Sequence, residues 1–353
     1  MSRQPRVEVQ VAAKTDLGRT RDHNEDTFLV ADLTRGTAEV RVNGGVSVGP
    51  RGILFMVADG MGGAAAGEVA SAMAADIVLK HILATWTPSD SLSGDEFIAR
   101  LREAVEDANA RIHEYAKEHP DVRGMGTTAT VVGIFGARLH LAQVGDSRAY
   151  LIRRGETVQL TKDQSLMQRL IDAGELTEEQ AAQSERRNII LQALGPDARI
   201  RVDLTYQDVS RGDTLVICSD GLSGQVKREE IGRAVAEAAD VVAVCDTLIA
   251  LANERGGPDN ITTVVARFEG DGLPEPATAE DPGYHSYPLP EEITGESVVV
   301  EAAPPAEPPP VEVDPDPEPP EQPAMRNGSP VVMASIGIAV LLLLLATFLL
   351  LAT

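Results

Sequence analysis

The sequence predicts an α+β fold in which antiparallel sheets are covered by helices, and three observations predict it. Short apolar runs recur through residues 1–269, separated by brief Gly-containing turns, which is the spacing of antiparallel hairpins. Two longer stretches carry apolar residues at three- and four-residue steps, the stripe of an amphipathic helix. Hydrophobic residues make up 43% of the chain but aromatics only 3%, so the core is built mainly from Val, Ile, Leu and Ala.

In order along the chain, residues 7–13, 28–31 and 53–58 read as strands. The last, Ile-Leu-Phe-Met-Val-Ala, is apolar on both faces and therefore central. Residues 64–84 read as a helix with Val69, Met73 and Ile77 on its buried stripe. A second helix opens at Ser93, whose hydroxyl suits an N-cap, and stops at Pro120. Its apolar face carries Phe97, Leu101, Val105, Ala108, Ile112 and Tyr115. Residues 127–135, 139–144 and 149–153 are strands joined through Gly136 and the Gly145-Asp146-Ser147-Arg148 turn. Residues 164–188 are polar and helical; three strands follow near 201–206, 214–218 and 261–268, with helices between 229 and 253.

Composition then changes sharply. Residues 270–330 hold 16 of the 22 prolines and 14 acidic residues against one arginine, so they are predicted to form a disordered, acidic, Pro-rich linker. Residues 331–353 contain no charge, and 23 residues at ~1.5 Å rise make a helix of about 34 Å, enough for the ~30 Å hydrocarbon core. They are expected to form a transmembrane tail anchor, and no secretory signal is expected at the opening of the chain. Arg326, the single flanking charge, places the N-terminal side in the cytoplasm. The expected organisation is a catalytic domain over residues 1–269 held at a membrane by a single pass.

Charge and cysteine usage exclude several function classes. The net charge is -23, and residues 1–269 alone carry 40 acidic against 30 basic residues, so a nucleic acid is not an expected partner. Cys218 and Cys245 form no disulfide framework, no CxxC and no Cys/His metal spacing. Cys218 also lacks the arrangement of a thiolate phosphatase. The glycine-rich stretch from Gly60 fits neither reading of a phosphate loop: no strand ending in an acid follows where a dinucleotide fold needs one, and Glu68 follows Gly67 where a Walker A lysine would stand.

The chemistry instead sits in carboxylates at strand ends. Asp59 follows one apolar strand and Asp220 another, each with a Gly behind it that lets the backbone turn away from a ligand. Asp259 opens the last strand, Glu25 and Asp26 precede residues 27–30, and Asp146 lies in a tight turn. A single Asp-Gly pair is explained by a plain turn. Acids gathered at several strand rims supply the hard oxygen ligands that suit Mg²⁺ or Mn²⁺.

At this point the chain resembles a known family. Residues 15–26 (TDLGRTRDHNED), 57–63 (VADGMGG), 124–128 (GMGTT), 145–148 (GDSR) and 219–222 (SDGL), with Asp259-Asn260, are similar to the ordered motifs of the metal-dependent Ser/Thr protein phosphatases of type 2C, bacterial branch. The resemblance covers residues 7–268. It implies two packed antiparallel sheets flanked by helices, an α-β-β-α sandwich, with a dinuclear centre between the sheets. It further implies hydrolysis of phosphoserine and phosphothreonine by a metal-activated water, opposing Ser/Thr kinases at the membrane.

Carried over position by position, the resemblance makes Asp59 the bridge between two Mn²⁺ or Mg²⁺ ions. Asp220 and Asp259 complete one ion's ligands, and Glu25 with the Gly60 carbonyl serves the other. Asp146, with Asp220, is assigned to a third, weaker ion, and Asp26 to a hydrogen bond with bound water. Arg21 is assigned to the substrate phosphate, for which its planar fork is suited. The chain departs from the family at Gln164 and at residues 184–188, from Ser184 to Asn188, in the flap that meets substrate in relatives. The expected partners are phosphorylated proteins, Ser/Thr kinases and their substrates. The alternative, an inactive phosphoprotein-binding pseudophosphatase, is disfavoured because every metal acid is present.

Overall fold

Alternation along each strand decides how the layers stack. The structure is a computed structural model and describes residues 6–38, 44–62, 66–276 and 281–288. The chain opens with β1 (Glu8–Asp16), β2 (Asp26–Asp32), β3 (Gly44–Ser47) and β4 (Ile53–Met61), followed by the long helices α1 (Ala66–Thr85) and α2 (Gly94–Glu118). Next come β5 (Gly126–Thr127), β6 (Ala129–Phe135), β7 (Arg138–Val144), β8 (Arg148–Arg153) and β9 (Glu156–Gln159), then the short helices α3 (Leu166–Asp172) and α4 (Glu178–Ala182). The remainder is β10 (Asp203–Asp208), β11 (Thr214–Cys218), α5 (Asp220–Ser223), α6 (Arg228–Glu237), α7 (Val241–Glu254), β12 (Ile261–Glu269) and β13 (His285–Ser286).

The strands form two antiparallel sheets. One has the order β3-β1-β12-β11-β8-β9, and the other β13-β10-β7-β6-β4-β2 with β5 beside β4. On β4, Ile53, Phe55 and Val57 point into the layer between the sheets, where they meet Val11, Leu151, Ile217 and Val264. Leu54, Met56 and Ala58 point the other way, under α1 and α2. Both faces of β4 are thus buried, as its continuous apolar run predicts. The opposite sheet repeats the pattern: Leu215 and Ile217 face inward, while Val216 and Cys218 face α6 and α7. The expected layering is present.

Helix α2 forms as its sequence predicts. Ser93 accepts the Glu96 N–H, Asp95 and Glu96 sit in the first turn, and Phe97, Leu101, Val105, Ala108 and Ile112 are buried. The stripe on α1 is different from the expected one. Of the expected residues Ile77 is buried, whereas Val69 and Met73 are only partly covered, and the buried face is centred on Ala70, Ala74, Val78 and Ile82. Small side chains let the helix lie close to the sheet, so Ala fills positions that a search for large apolar residues passes over.

The predicted linker also begins too early. Leu273 is buried, the Gly272 N–H donates to the Arg6 carbonyl, and β13 pairs with the edge of β10. The packed part of the described chain therefore continues to Pro288, and the domain boundary at 269 is corrected accordingly. Composition missed this because Pro and acid dominate the window, while the pairing depends on a sheet edge formed elsewhere. The transmembrane anchor expected over residues 331–353 lies outside the described residues, as does the whole second unit, Glu291–Thr353. Among the described residues, no helix is long and apolar enough to cross a membrane.

Candidate metal centre

Strand register gathers the acids at one end of the sandwich. The β2–β4 pairing sets Asp26 directly opposite Asp59. In the facing sheet, Cys218 at the end of β11 lies opposite Arg148 on β8 and Thr263 on β12, which brings Asp220, the 145–148 turn and Asp259 to the same rim. Like charges set opposite on neighbouring strands repel, so something must hold them there.

Backbone bonds do part of that work. The Asp59 N–H donates to Thr128 Oγ1 at 2.9 Å, and its carbonyl accepts from Thr128 N at 2.9 Å and Thr127 Oγ1 at 3.0 Å. Both flanks of Asp59 are thus fixed by β5 and the residue after it. The Glu25 N–H donates to Asn260 Oδ1 at 2.8 Å, and Asn260 Nδ2 donates to the carbonyls of Leu17 and His23. Asn260 therefore ties the loop carrying Arg21 and Glu25 to the strand that follows Asp259. The sequence shows Asn260 only as the second half of a motif; its hub role depends on contacts more than two hundred residues away.

Gly67 makes room for the Glu25 carboxyl, and Gly60 for the backbone beside it. A Cβ on Gly67 would stand 2.7 Å from Glu25 Oε1, and one on Gly60 would overlap the carbonyl oxygens of Gly67 and Glu25. The site is built around that carboxylate, at the first turn of α1.

Electrostatics mark the rim as short of positive charge. Burial first, then the neighbouring Asp26, Asp220 and Asp146, push the Asp59 carboxyl well above the usual carboxylate range. Asp26 is pushed up to about 7, chiefly by burial, although Ser219 Oγ donates to its Oδ2 at 2.7 Å. Burial and then Asp220 push Asp146 up to about 8. Asp220 is raised by burial and then Asp259, and Glu25 by burial. Asp146 Oδ1 is buried with no hydrogen-bond partner. Burying a carboxylate without a counter-charge is costly, and a cation is what removes the cost.

Each residue expected at the site is therefore at or beside this rim: Glu25, Asp26, Asp59, Gly60, Asp146, Asp220 and Asp259. Among the described residues, no three His, Cys, Asp or Glu side chains stand close enough together to hold a metal ion as they are placed. The acids line an open rim. Arg21 stands at its mouth, 47% exposed, with Nη2 donating to Asp259 Oδ2 at 2.7 Å. Gln164 accepts the Gly145 N–H through Oε1 and donates to the Arg201 carbonyl through Nε2, so it fastens the 163–202 segment beside Asp146. Hard oxygen donors, a buried Asp146 oxygen without a partner and carboxyls raised by burial and by neighbouring charge fit divalent cations.

A profile of the protein phosphatase 2C family matches residues 43–264. The serine/threonine protein phosphatase PstP of Mycobacterium tuberculosis is 38% identical over 258 residues, 73% of this chain and 45% of that protein. The chain therefore spans about half the length of that curated relative. The serine/threonine phosphatase stp of Listeria welshimeri is 35% identical over 254 residues, 71% of this chain and 93% of the relative. The crystal structure of the PstP catalytic domain in complex with 2 manganese ions has a TM-score of 0.60 at 37% identity, covering 74% of this chain and 99% of that one.

Proposed function

The chain belongs to the protein phosphatase 2C family, and from that premise we propose that it hydrolyses phosphoserine and phosphothreonine in proteins, with two Mn²⁺ or Mg²⁺ ions at its acidic rim. The observation that carries this reading is the convergence of Asp59, Asp146 and Asp220 from both sheets, each with its carboxyl raised by burial and by its neighbours. Asp59 lies opposite Asp26 and electrostatically close to Asp220, which suits it to be shared between two ions. Asp220 and Asp259 would serve one ion, Glu25 and the Gly60 carbonyl the other, and Asp146 with Asp220 a weaker third. When bound, the ions would supply a water acidified toward neutral pH and neutralise charge on the phosphoryl oxygens.

The chain's own groups do the remaining work. Arg21 presents a half-exposed guanidinium at the mouth and is suited to take phosphate oxygens in its fork. Asp26, held by Ser219, is a fixed hydrogen-bond acceptor behind Asp59. Thr127 and Thr128 keep the Asp59 backbone in place, so turnover does not need to reorganise it. Full-length protein should release phosphate from a phosphothreonine peptide with Mn²⁺ and stop on chelation. Undiminished release under chelator would remove the metal from the reading.

The setting we propose is a single-pass membrane anchor over residues 331–353, with the catalytic domain cytoplasmic and with membrane-tethered Ser/Thr kinases and their substrates as partners. Its support is the uncharged run and the acidic linker before it. Fractionation of cells expressing the full chain, and a version stopped after Pro288, tests it: the full chain should sediment with membranes and the shorter one should not.

A further inference from the structure

Strand directions fix which end of the sandwich each segment reaches. β12 starts at the acid-bearing rim beside Asp259 and runs away from it, since Ile261 lies opposite Asp16 and Glu269 opposite Glu8. A chain released at Glu269 would thus leave from the far end, where the Arg153–Glu156 hairpin also lies. Residues 281–288 reverse that course. Asp281 sits beside Arg154 at the far end, Gly283 N donates to Gln207 Oε1, and Tyr287 N donates to the Leu204 carbonyl. Because β10 runs from the rim (Asp203 opposite Gln143) to the far end (Asp208 opposite Arg138), the segment travels back toward the rim. Five residues of strand cover roughly 17 Å.

Side chains hold this course at two points. The Tyr284 hydroxyl donates to the Asp203 carboxylate at 2.7 Å, and the Tyr287 hydroxyl to Asp95 Oδ1, in the first turn of α2, at 2.6 Å. The Tyr287 ring lies edge-on to Tyr206 at 5.7 Å and beside His140 at 5.8 Å, while His285 lies against Tyr206 at 5.6 Å. Tyr206 and Tyr287 thus gather with His140 and His285 in one small cluster. Yet the backbone pairing is only two residues long and Tyr284 stays 39% exposed. Side-chain anchoring with so little ladder describes a segment that can leave the edge without unfolding the sheet.

We propose that residues 281–288 are a detachable strap, docked along the β10 edge on a course toward the acid-bearing rim and able to leave that edge while the sheet stays folded. The inference rests on strand register and on the two tyrosine–carboxylate bonds, not on the reaction assigned to the rim. An extended peptide that adds to the β10 edge would release it in exchange.

Spin labels at Asp22→Cys, on the exposed rim, and Ser286→Cys, on the exposed strap, read the docking in the full-length chain; both native cysteines are buried. The expected result is one narrow distance distribution, broadened and lengthened by Tyr284→Ala with Tyr287→Ala. Hydrogen exchange supplies the second readout: the Tyr287 amide should exchange at least ten-fold faster in that variant, while β4 amides stay protected and so certify the fold. If the alanine pair disturbs β4, Tyr284→Phe with Tyr287→Phe removes only the hydroxyls and should still accelerate exchange. A broad distribution in the unsubstituted chain, or unchanged distance and exchange in the phenylalanine pair, would overturn the strap.

Discussion

The sandwich buries charge at both ends and handles it in opposite ways. At the far end, Arg153 and Asp213 are 1% and 0% exposed; Arg153 Nη2 donates to Asp213 Oδ2 at 2.6 Å and to the Asp208 carbonyl, and Asp213 also accepts the Ser210 N–H. Protein groups meet both charges there, and the charges cancel. At the rim, burial first and then neighbouring carboxylates raise Asp26, Asp59, Asp146 and Asp220, and one Asp146 oxygen has no partner. A buried pair that satisfies itself belongs to the fold, whereas a buried cluster that does not is a place for something to bind.

The largest effect comes from reducing the rim's charge. Asp59→Asn keeps the shape and hydrogen-bonding reach but removes a shared carboxylate, so turnover on a phosphothreonine peptide should fall by on the order of a hundred-fold or more, about 2.7 kcal/mol of barrier. In chelator the same variant should be at least as stable as the parent, because a repulsion is gone. Calorimetry alongside the assay separates the two. Loss of folding together with activity would mean that Asp59 is structural in the way Asp213 is.

The matching change at the far end should do the reverse. Asp213→Ala strands the Arg153 guanidinium in the interior, and breaking a buried pair costs about 3–5 kcal/mol. Denaturant titration should show that loss, while Arg153→Met with Asp213→Leu should regain most of it. Turnover per folded molecule should be unchanged in both.

A third measurement reads the rim in a pH titration. Unfolded carboxyls titrate at about 4, but in the fold Asp26 does so at about 7 and Asp146 at about 8. Across that window the folded state holds more protons than the unfolded one, so metal-free protein should lose stability as pH rises from about 4 to about 8. Saturating Mn²⁺ should flatten the slope, because the cation takes the place of the protons. A metal-free protein whose stability rises through this window would break the contrast between the two ends.

Legibility from sequence differed along the same line. Local signals carried well: the continuous apolar run of β4, the Ser93 cap, and the acids that follow apolar strands were all readable, because each depends on neighbours in the chain. Pairing across distance was not. Nothing local shows that Asp26 faces Asp59, that Asn260 holds three loop carbonyl and amide groups, or that Gly67 gives up its Cβ to the Glu25 carboxyl. β13 was hidden for the same reason, since its strand exists only because β10 offers an edge. The α1 stripe was misplaced because alanine carries little hydrophobic signal yet permits the closest packing.

The smallest expected effect on stability falls between the two extremes, at Arg21 and Asp259. Their contact is as short as the far-end pair, yet the side chains are 47% and 26% exposed, so solvent screens most of the attraction. Exposed pairs contribute about 0–1 kcal/mol, and Arg21→Ala should shift the unfolding midpoint by no more than that. Its consequence should appear in binding: KM for a phosphopeptide should rise several-fold with a smaller loss in kcat, because the carboxylates that hold the cations are untouched. Arg21→Lys keeps the charge but loses the planar fork, so it should recover only part of the KM change. Equal losses in kcat and KM for Arg21→Ala, fully restored by lysine, would instead assign Arg21 to holding Asp259 in place and remove it from contact with phosphate.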